Sequence, residues 1–291
     1  MSPPDVSIIV IACDVRDDVL KCLGSISQHA ETVSAETILV DNGSRDDTSA
    51  AVAAAFPDVE IVRLERNEGL AARNHGLRRA TGTLRMFLDS DALLTPGALP
   101  ELVRFITGNP QVGLVGPRLV YPDGSLQLSC RRYPPLMLPL LRRGLLSRFF
   151  EDSRTVRRHL MADDSHDHTR EVEYVLGACQ LFTAKAQAAA GGIDPRMFFG
   201  PDDADWCFRI RTEGLAVVYH PAATVIHRYR RTSRERQLSR IAFEQLRAYA
   251  RFQWVWRRHR ARLMREGSEM DSRAGERIPP GRDPGPASEK G

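Results

Sequence analysis

The chain has 291 residues, 42% of them hydrophobic and 27% charged. That balance excludes a mainly disordered, collagen-like or disulfide-dense protein, and the length admits one large domain or two small ones at roughly 150 residues each. Lys and Arg number 41 against 37 for Asp and Glu, and the net +4 names no partner by itself.

From the N-terminus, Val6–Ala12 is a β-branched run, the pattern of a strand covered on both faces. Residues 15–28 follow as a helix, with Val19, Leu20, Leu23 and Ile26 at helical spacing. Residues 37–40 read as a second buried strand, 46–56 as a helix capped by Asp46 or Ser44, and 59–64 as a third strand. A helix over 70–80, closed by Gly82, leads to a fourth strand over 84–88. This alternation predicts right-handed βαβ units and a parallel sheet, with ligands at the carboxyl ends of the strands. Those ends are Ala12-Cys13-Asp14, Asp41-Asn42, Glu65-Arg66-Asn67 and Asp89-Ser90-Asp91.

Beyond them, Thr95-Pro96 marks a helix start, and 112–120 reads as a strand before the turn Pro122-Asp123-Gly124. Residues 133–150 are apolar and basic, with prolines that break any long helix. The polar stretch 153–170 reads as a mobile loop. Strands are expected over 173–183 and 216–219, a helix over 202–213 and one long helix over 233–265. Residues 267–291 have the composition of a disordered tail. No stretch approaches the roughly 18 apolar residues of a spanning helix, and residues 1–6 lack the basic start of a signal peptide. Cys13, Cys22, Cys130, Cys179 and Cys207 are scattered with no CxxC pair, which favours a reduced, cytoplasmic setting.

Four groups of residues could carry chemistry. Asp89 and Asp91 can converge on one hard cation such as Mg²⁺ or Mn²⁺, or divide between a cation and a sugar hydroxyl; a polar strand end with a helix cap is the plain alternative. Asp202-Asp203-Ala204-Asp205 suits a helix N-terminus through the macrodipole, or supplies a general base in a cleft. His227, after Val225-Ile226, is either a third metal ligand or a structural histidine. The junction from Asn67 to Gly76 offers backbone donors and Arg73 to an anionic phosphate, unless Arg73 is simply solvated.

The order of these motifs is more specific than any one of them. Val40-Asp41-Asn42-Gly43-Ser44, Asn67-x-Gly…Arg73-Asn74-x-Gly76, Phe87-Leu88-Asp89-Ser90-Asp91, Gly191-Gly192-Ile193-Asp194…Phe198-Phe199…Asp202-Asp203-x-Asp205-x-Cys207-x-Arg209 and Val225-Ile226-His227 occur in that sequence. Over residues 6–232 the chain resembles family 2 glycosyltransferases, and within them a bacterial rhamnosyltransferase-like branch. The resemblance implies an α/β, GT-A fold, whose mostly parallel nucleotide-binding sheet is flanked by helices. It further implies a nucleoside-diphosphate sugar donor, a divalent metal (Mg²⁺ or Mn²⁺) and inversion at the anomeric carbon. By position, Asp203 would be the catalytic base, paired with Asp202. Asp91 would coordinate the metal, and His227 would approach the metal or the diphosphate. The Ala12–Asp14 strand end would line the nucleoside site, Asp41 would contact the nucleobase and Asp89 would lie near the ribose or donor sugar, with Asn67, Arg73 and Ser90 also expected in the donor site. The first strand ends Ala12-Cys13-Asp14 where the family usually has Thr-Tyr-Asn, and the acid pair is Asp-Asp in place of Glu-Asp.

The expected organisation is a transferase domain over 1–232, a basic amphipathic helix over 233–266 and a tail over 267–291. On that helix Arg240, Arg247, Arg251, Arg258 and Arg262 share one face, opposite Leu238, Ala242, Leu246, Tyr249, Phe252 and Trp256. It either docks on the domain or lies on an anionic membrane, which would suit a lipid-linked acceptor on the inner face of the plasma membrane. No nucleic-acid motif is present. Rhamnose is the sugar that the branch points to, and a glycan, lipid-linked or small-molecule hydroxyl is the acceptor class. The alternative is a non-catalytic nucleotide-sugar or membrane-surface binding protein of the same fold. A haloacid-dehalogenase-type phosphatase would carry its DxD on the first strand, and a dinucleotide oxidoreductase would need a GxGxxG loop.

Overall fold

The computed structural model describes residues 4–30, 32–135, 138, 153–198, 200–228 and 240–265, the last helix with side chains over 247–259. Residues 139–152 of the apolar basic stretch, 229–239, Phe199 and the tail from 266 lie outside the described residues.

Strands β1 (Val6–Ala12), β2 (Ala35–Asp41), β3 (Glu60–Arg63) and β4 (Leu84–Asp89) run parallel in the spatial order β3-β2-β1-β4. Successive residues of a strand face opposite sides of the sheet. Val6, Ile8, Val10 and Ala12 therefore enter one core, and Ile9 enters the other with Ile38, Val40 and Phe87. This two-sided burial explains the unbroken apolar runs.

The remaining strands are β5 (Ala92–Leu94), β6 (Val112–Val120), β7 (Leu126–Gln127), β8 (Cys130–Arg131), β9 (Arg170–Glu171), β10 (Tyr174–Val175), β11 (Cys179–Thr183) and β12 (Ala216–His227). The full sheet order is β3-β2-β1-β4-β11-β6-β12-β5. It is mixed: β11 runs antiparallel to β4 and β6, β12 is parallel to β6, and β5 is antiparallel to β12. Helices α1 (Arg16–His29), α2 (Thr48–Ala55), α3 (Arg73–Arg79), α4 (Ala98–Thr107), α5 (Arg154–Leu160), α6 (Ala184–Ala190), α7 (Asp202–Thr212) and α8 (Arg240–Arg265) complete the described elements. Val19 and Leu23 of α1 and Leu99 and Phe105 of α4 pack on one face. Leu77 of α3, Ala186 of α6 and Trp206 of α7 pack on the other.

Several expectations change. Helix α2 begins at Thr48, because the Asp46 carboxylate accepts from the Thr48 N–H (3.1 Å) and hydroxyl (2.5 Å) and holds residues 46–47 in a turn. Thr95 does not start a helix: its hydroxyl donates to the Thr224 carbonyl at 2.7 Å, and α4 begins after Gly97 at φ 76°. The expected helix over 70–80 opens as a 3-10 turn over Gly69–Ala72 before α3. The expected loop over 153–170 contains α5, capped by Ser153, and buries His159 and His166. Its polar groups bond inward: His159 Nδ1 lies 2.8 Å from the Arg132 carbonyl and His166 Nε2 3.0 Å from the Met161 carbonyl. The strand expected to end at Tyr219 continues through an irregularity at 220–224 to His227.

Helix α8 is docked on the domain. Ala248, Tyr249, Phe252 and Gln253 are buried, Phe252 meets the rings of Tyr133 and Phe208, and Arg251 Nε is 2.9 Å from Asp194 Oδ2. The part of the apolar stripe that the structure describes thus faces protein. No helix among the described residues is long and apolar enough to cross a membrane.

Candidate active site

The strand ends assemble the site. β4 delivers Asp89, Ser90 makes the turn, and β5 follows at once, so Asp91 is fixed from both sides. Pairing of β5 with β12 sets His227 opposite Ala92, and the Arg228 N–H donates to the Asp91 carbonyl at 3.0 Å. Asp89, Asp91 and His227 each offer one ligand atom, all within 4.8 Å of one another. His227 Nε2 is 3.3 Å from Asp91 Oδ1, and Nδ1 is 2.7 Å from the buried Gln127 Oε1. The amide oxygen can only accept, so Nδ1 carries a hydrogen and Nε2 faces the acids. Burial pulls the His227 pKa down, but the hydrogen bond that the protonated ring donates to Asp91 and the charges of both acids outweigh it, and the net shift is upward. Burial pushes Asp89 up, against the pull of Arg73.

Arg73 is neither solvated nor open to a phosphate. Only 2% of its side chain is exposed. Nη2 lies 2.5 Å from Asp89 Oδ1 and 3.0 Å from the Gly177 carbonyl, and Nη1 lies 3.8 Å from Asp202 Oδ2. The guanidinium also sits 4.9 Å from the Phe87 ring centroid. A buried cation is tolerable only when paired, and two carboxylates from distant parts of the chain supply the pairing. Gly177 makes room: a Cβ there would stand 3.1 Å from Arg73 Nη1 and 3.6 Å from Asp203 Cβ.

The three acids of α7 divide. Asp205 is buried against Arg209 Nε at 2.9 Å and belongs to the packing. Asp202 is buried; desolvation first, then the charge of Asp203, raise its pKa to about 7 against the pull of Arg73. Asp203 is half-buried, with Oδ1 accepting from the Ala204 N–H at 2.8 Å. Burial raises it too, opposed by Arg131 and the N–H groups of Ala204 and Gly177. Asp91, Asp89, Arg73, Asp202 and Asp203 therefore form one continuous group at a single sheet edge.

Beside them, a cavity of about 600 Å³ opens at the carboxyl ends of β1, β2 and β3, lined by Cys13, Asp14, Ser44, Arg63, Arg66 and Asn67 among others. Asp14, at φ 54°, accepts from the Arg45 N–H at 2.7 Å. Ala12 is buried, and its carbonyl accepts from the Asn42 N–H at 2.8 Å. Asn67 braces the rim, accepting from the Gly69 N–H at 2.8 Å and donating to Cys13 Sγ at 3.2 Å. Asp41 lies beneath the wall. Its oxygens accept from the Ser44 N–H (2.8 Å) and the Ser49 hydroxyl, and the side chain is buried. Gln127, Gly177, Arg131 and the cavity arginines Arg45 and Arg63 were not singled out from sequence, and Arg66 entered only within the strand end Glu65-Arg66-Asn67. Apart from Arg66, none belongs to a motif. A second cavity of about 510 Å³, between α3, α6 and residues 192–196, contains none of the expected site residues.

The profile of Glycosyl transferase family 2 matches residues 7–172, more than half of the chain. The chain belongs to that family. Among its relatives, N-acetylglucosaminyl-diphospho-decaprenol L-rhamnosyltransferase of Mycobacterium tuberculosis is 27% identical over 204 residues, 65% of this chain and 65% of that protein. The O-antigen biosynthesis protein RfbC of Myxococcus xanthus is 28% identical over 237 residues, 77% of this chain but 17% of its own length. A mannosyltransferase from Pyrobaculum calidifontis, solved with GDP-Man and Mn²⁺, superposes with a TM-score of 0.56 at 21% identity, over 80% of this chain and 59% of that one. GalNAc-T7, solved with UDP, GalNAc and Mn²⁺, gives 0.60 at 16% identity, over 78% and 44%. At these identities the likeness concerns the fold, which is GT-A.

Proposed function

We propose that this family 2 member is an inverting glycosyltransferase that moves a sugar from a nucleoside-diphosphate donor to an acceptor hydroxyl. The observation that carries the reading is Arg73, whose buried guanidinium joins the Asp89–Asp91–His227 cluster to the Asp202–Asp203 pair. A donor-holding group and a proton acceptor are thus kept at one sheet edge. The cluster fits a hard divalent cation, Mn²⁺ or Mg²⁺: two carboxylates converge with one imidazole whose far nitrogen is anchored by Gln127. Bound there, such an ion would offset charge on a diphosphate leaving group.

The chain's own residues then divide the work. The cavity over β1–β3 takes the nucleoside, with Cys13, Asp14 and Asn67 at its wall and Arg45, Arg63 and Arg66 giving it positive character. Asp89 and Ser90 lie toward the ribose and donor sugar. Asp203, the more exposed acid of the pair, takes the proton of the acceptor hydroxyl. That oxygen bonds to the anomeric carbon as the bond from carbon to the diphosphate oxygen breaks on the opposite face. Desolvation and the charge of Asp203 raise Asp202 to about 7, so near neutral pH it is only partly ionised. The rhamnosyltransferase relative supports rhamnose as the sugar and a lipid-linked saccharide as the acceptor. Residues 1–232 form the transferase unit in this reading. The buried free thiols Cys22, Cys130, Cys179 and Cys207 suit a reducing, cytoplasmic setting.

A thermal-shift panel of nucleoside-diphosphate sugars, with and without Mn²⁺, tests the proposal. One donor should raise the melting temperature in a cation-dependent way, by mass action. A flat response to every nucleotide and nucleotide sugar would remove it.

A further inference from the structure

We infer that the outer face of α8 is a docking surface for anionic lipid. The inner face of this helix is already used: Tyr249, Phe252 and Gln253 are buried against the domain, and Arg251 pairs with Asp194. Turned outward is Trp254, 56% exposed, the one large hydrophobic side chain left exposed among the described residues. The other large apolar side chains described are buried or partly buried, and a single exposed indole identifies no ligand without its neighbours.

Its neighbours define the chemistry. Arg258, one turn on, holds its guanidinium 4.4 Å from the Trp254 ring centroid. Arg257 and Arg247, at three and seven residues from Trp254, are also exposed. No Asp or Glu occurs between Glu244 and Glu266, whereas arginines stand at 247, 251, 257, 258, 260, 262 and 265. An indole among guanidiniums on a convex helix matches the headgroup layer of an anionic bilayer, where the ring sits at the boundary and each cation meets lipid phosphate. Nucleic acid is a poorer fit, because a single indole already covered by Arg258 offers no row of stacking platforms. The contact keeps α8 docked and needs no release of its inner stripe.

Sedimentation of the full chain with vesicles tests this. Vesicles of phosphatidylcholine alone should leave the protein in solution, and vesicles of phosphatidylcholine and phosphatidylglycerol in equal parts should carry it down, less so at high salt. The double substitution Arg257→Gln and Arg258→Gln should weaken partitioning about 30-fold, roughly fivefold for each arginine. Trp254→Ala should also weaken it. All three positions are exposed, so circular dichroism should match the parent. Equal binding to both vesicle types, or partitioning indifferent to these substitutions, would overturn the inference. A dimer that Trp254→Ala converts to monomer would likewise overturn it in favour of a self-interface. Tighter binding to a single-stranded oligonucleotide than to vesicles, lost in Trp254→Ala, would do so in favour of nucleic acid.

Discussion

Replacing Arg73 by Met keeps the apolar stem and removes the cation that Asp89 and Asp202 share. Breaking a buried pair from one side costs roughly 3–5 kcal/mol, because a carboxylate is left in a poor solvent. Asp89 is 30% exposed and can recover some hydration, so the lower end, about 3 kcal/mol, is expected for Arg73→Met at pH 8. The sign with pH follows from both acids having raised pKa values in the fold. The native state binds more protons than the unfolded chain between the ordinary carboxylate value of 3.8 and about 7 for Asp202, so stability falls as pH rises through that window. Without Arg73 the two acids hold protons still more tightly, and the fall steepens. The deficit of the variant should therefore be small near pH 5 and larger at pH 8. Urea unfolding of both proteins at the two pH values, with equal slopes, measures it. A deficit under about 1 kcal/mol at pH 8, or one unchanged between the two, would refute the buried-bridge reasoning. Arg73→Lys should fall between them, since one ammonium cannot reach Asp89, the Gly177 carbonyl and Asp202 together.

Asp203→Asn should lower turnover at least about 100-fold while leaving donor-induced stabilisation within about twofold, read by product formation and thermal shift in parallel. Cys13 is the only one of the five cysteines that is not buried, and it lines the β1–β3 cavity. Iodoacetamide should therefore label it first, slowly because burial raises its pKa, and a bound nucleoside diphosphate should protect it; mass spectrometry showing labelling indifferent to nucleotide would place the ligand elsewhere. Gly177→Ala brings a methyl group to 3.1 Å from Arg73 Nη1 and should cost about 1–3 kcal/mol in denaturant unfolding.

The half of the sheet from β1 to β4 was legible because β1, β2 and β4 carry buried apolar runs, with β3 a short, partly buried edge strand beside them. Asp89, Asp91, Asp202, Asp203 and His227 were legible as residue types at motif spacing. Their meeting came only from the family resemblance, since it depends on β5 pairing with a β12 three times as long as its apolar pattern suggested. Arg73 was misplaced for a physical reason: an arginine in a helix is usually at the surface, and the two acids that make its burial possible lie 16 and 129 positions away. Helix α5 was hidden by composition, because a segment rich in His and Asp looks solvated until its hydrogen-bond partners are known. Gln127 and Gly177 act through a second layer, and no spacing rule marks them.

Titration of Mn²⁺, alone and with a nucleoside diphosphate, into the parent protein and Asp91→Asn tests the shared cation and diphosphate site most directly. The parent should bind the two ligands cooperatively, and Asp91→Asn should lose at least about tenfold in Mn²⁺ affinity together with that cooperativity. Equal Mn²⁺ affinity in both proteins, with nucleotide binding indifferent to the ion, would contradict the account.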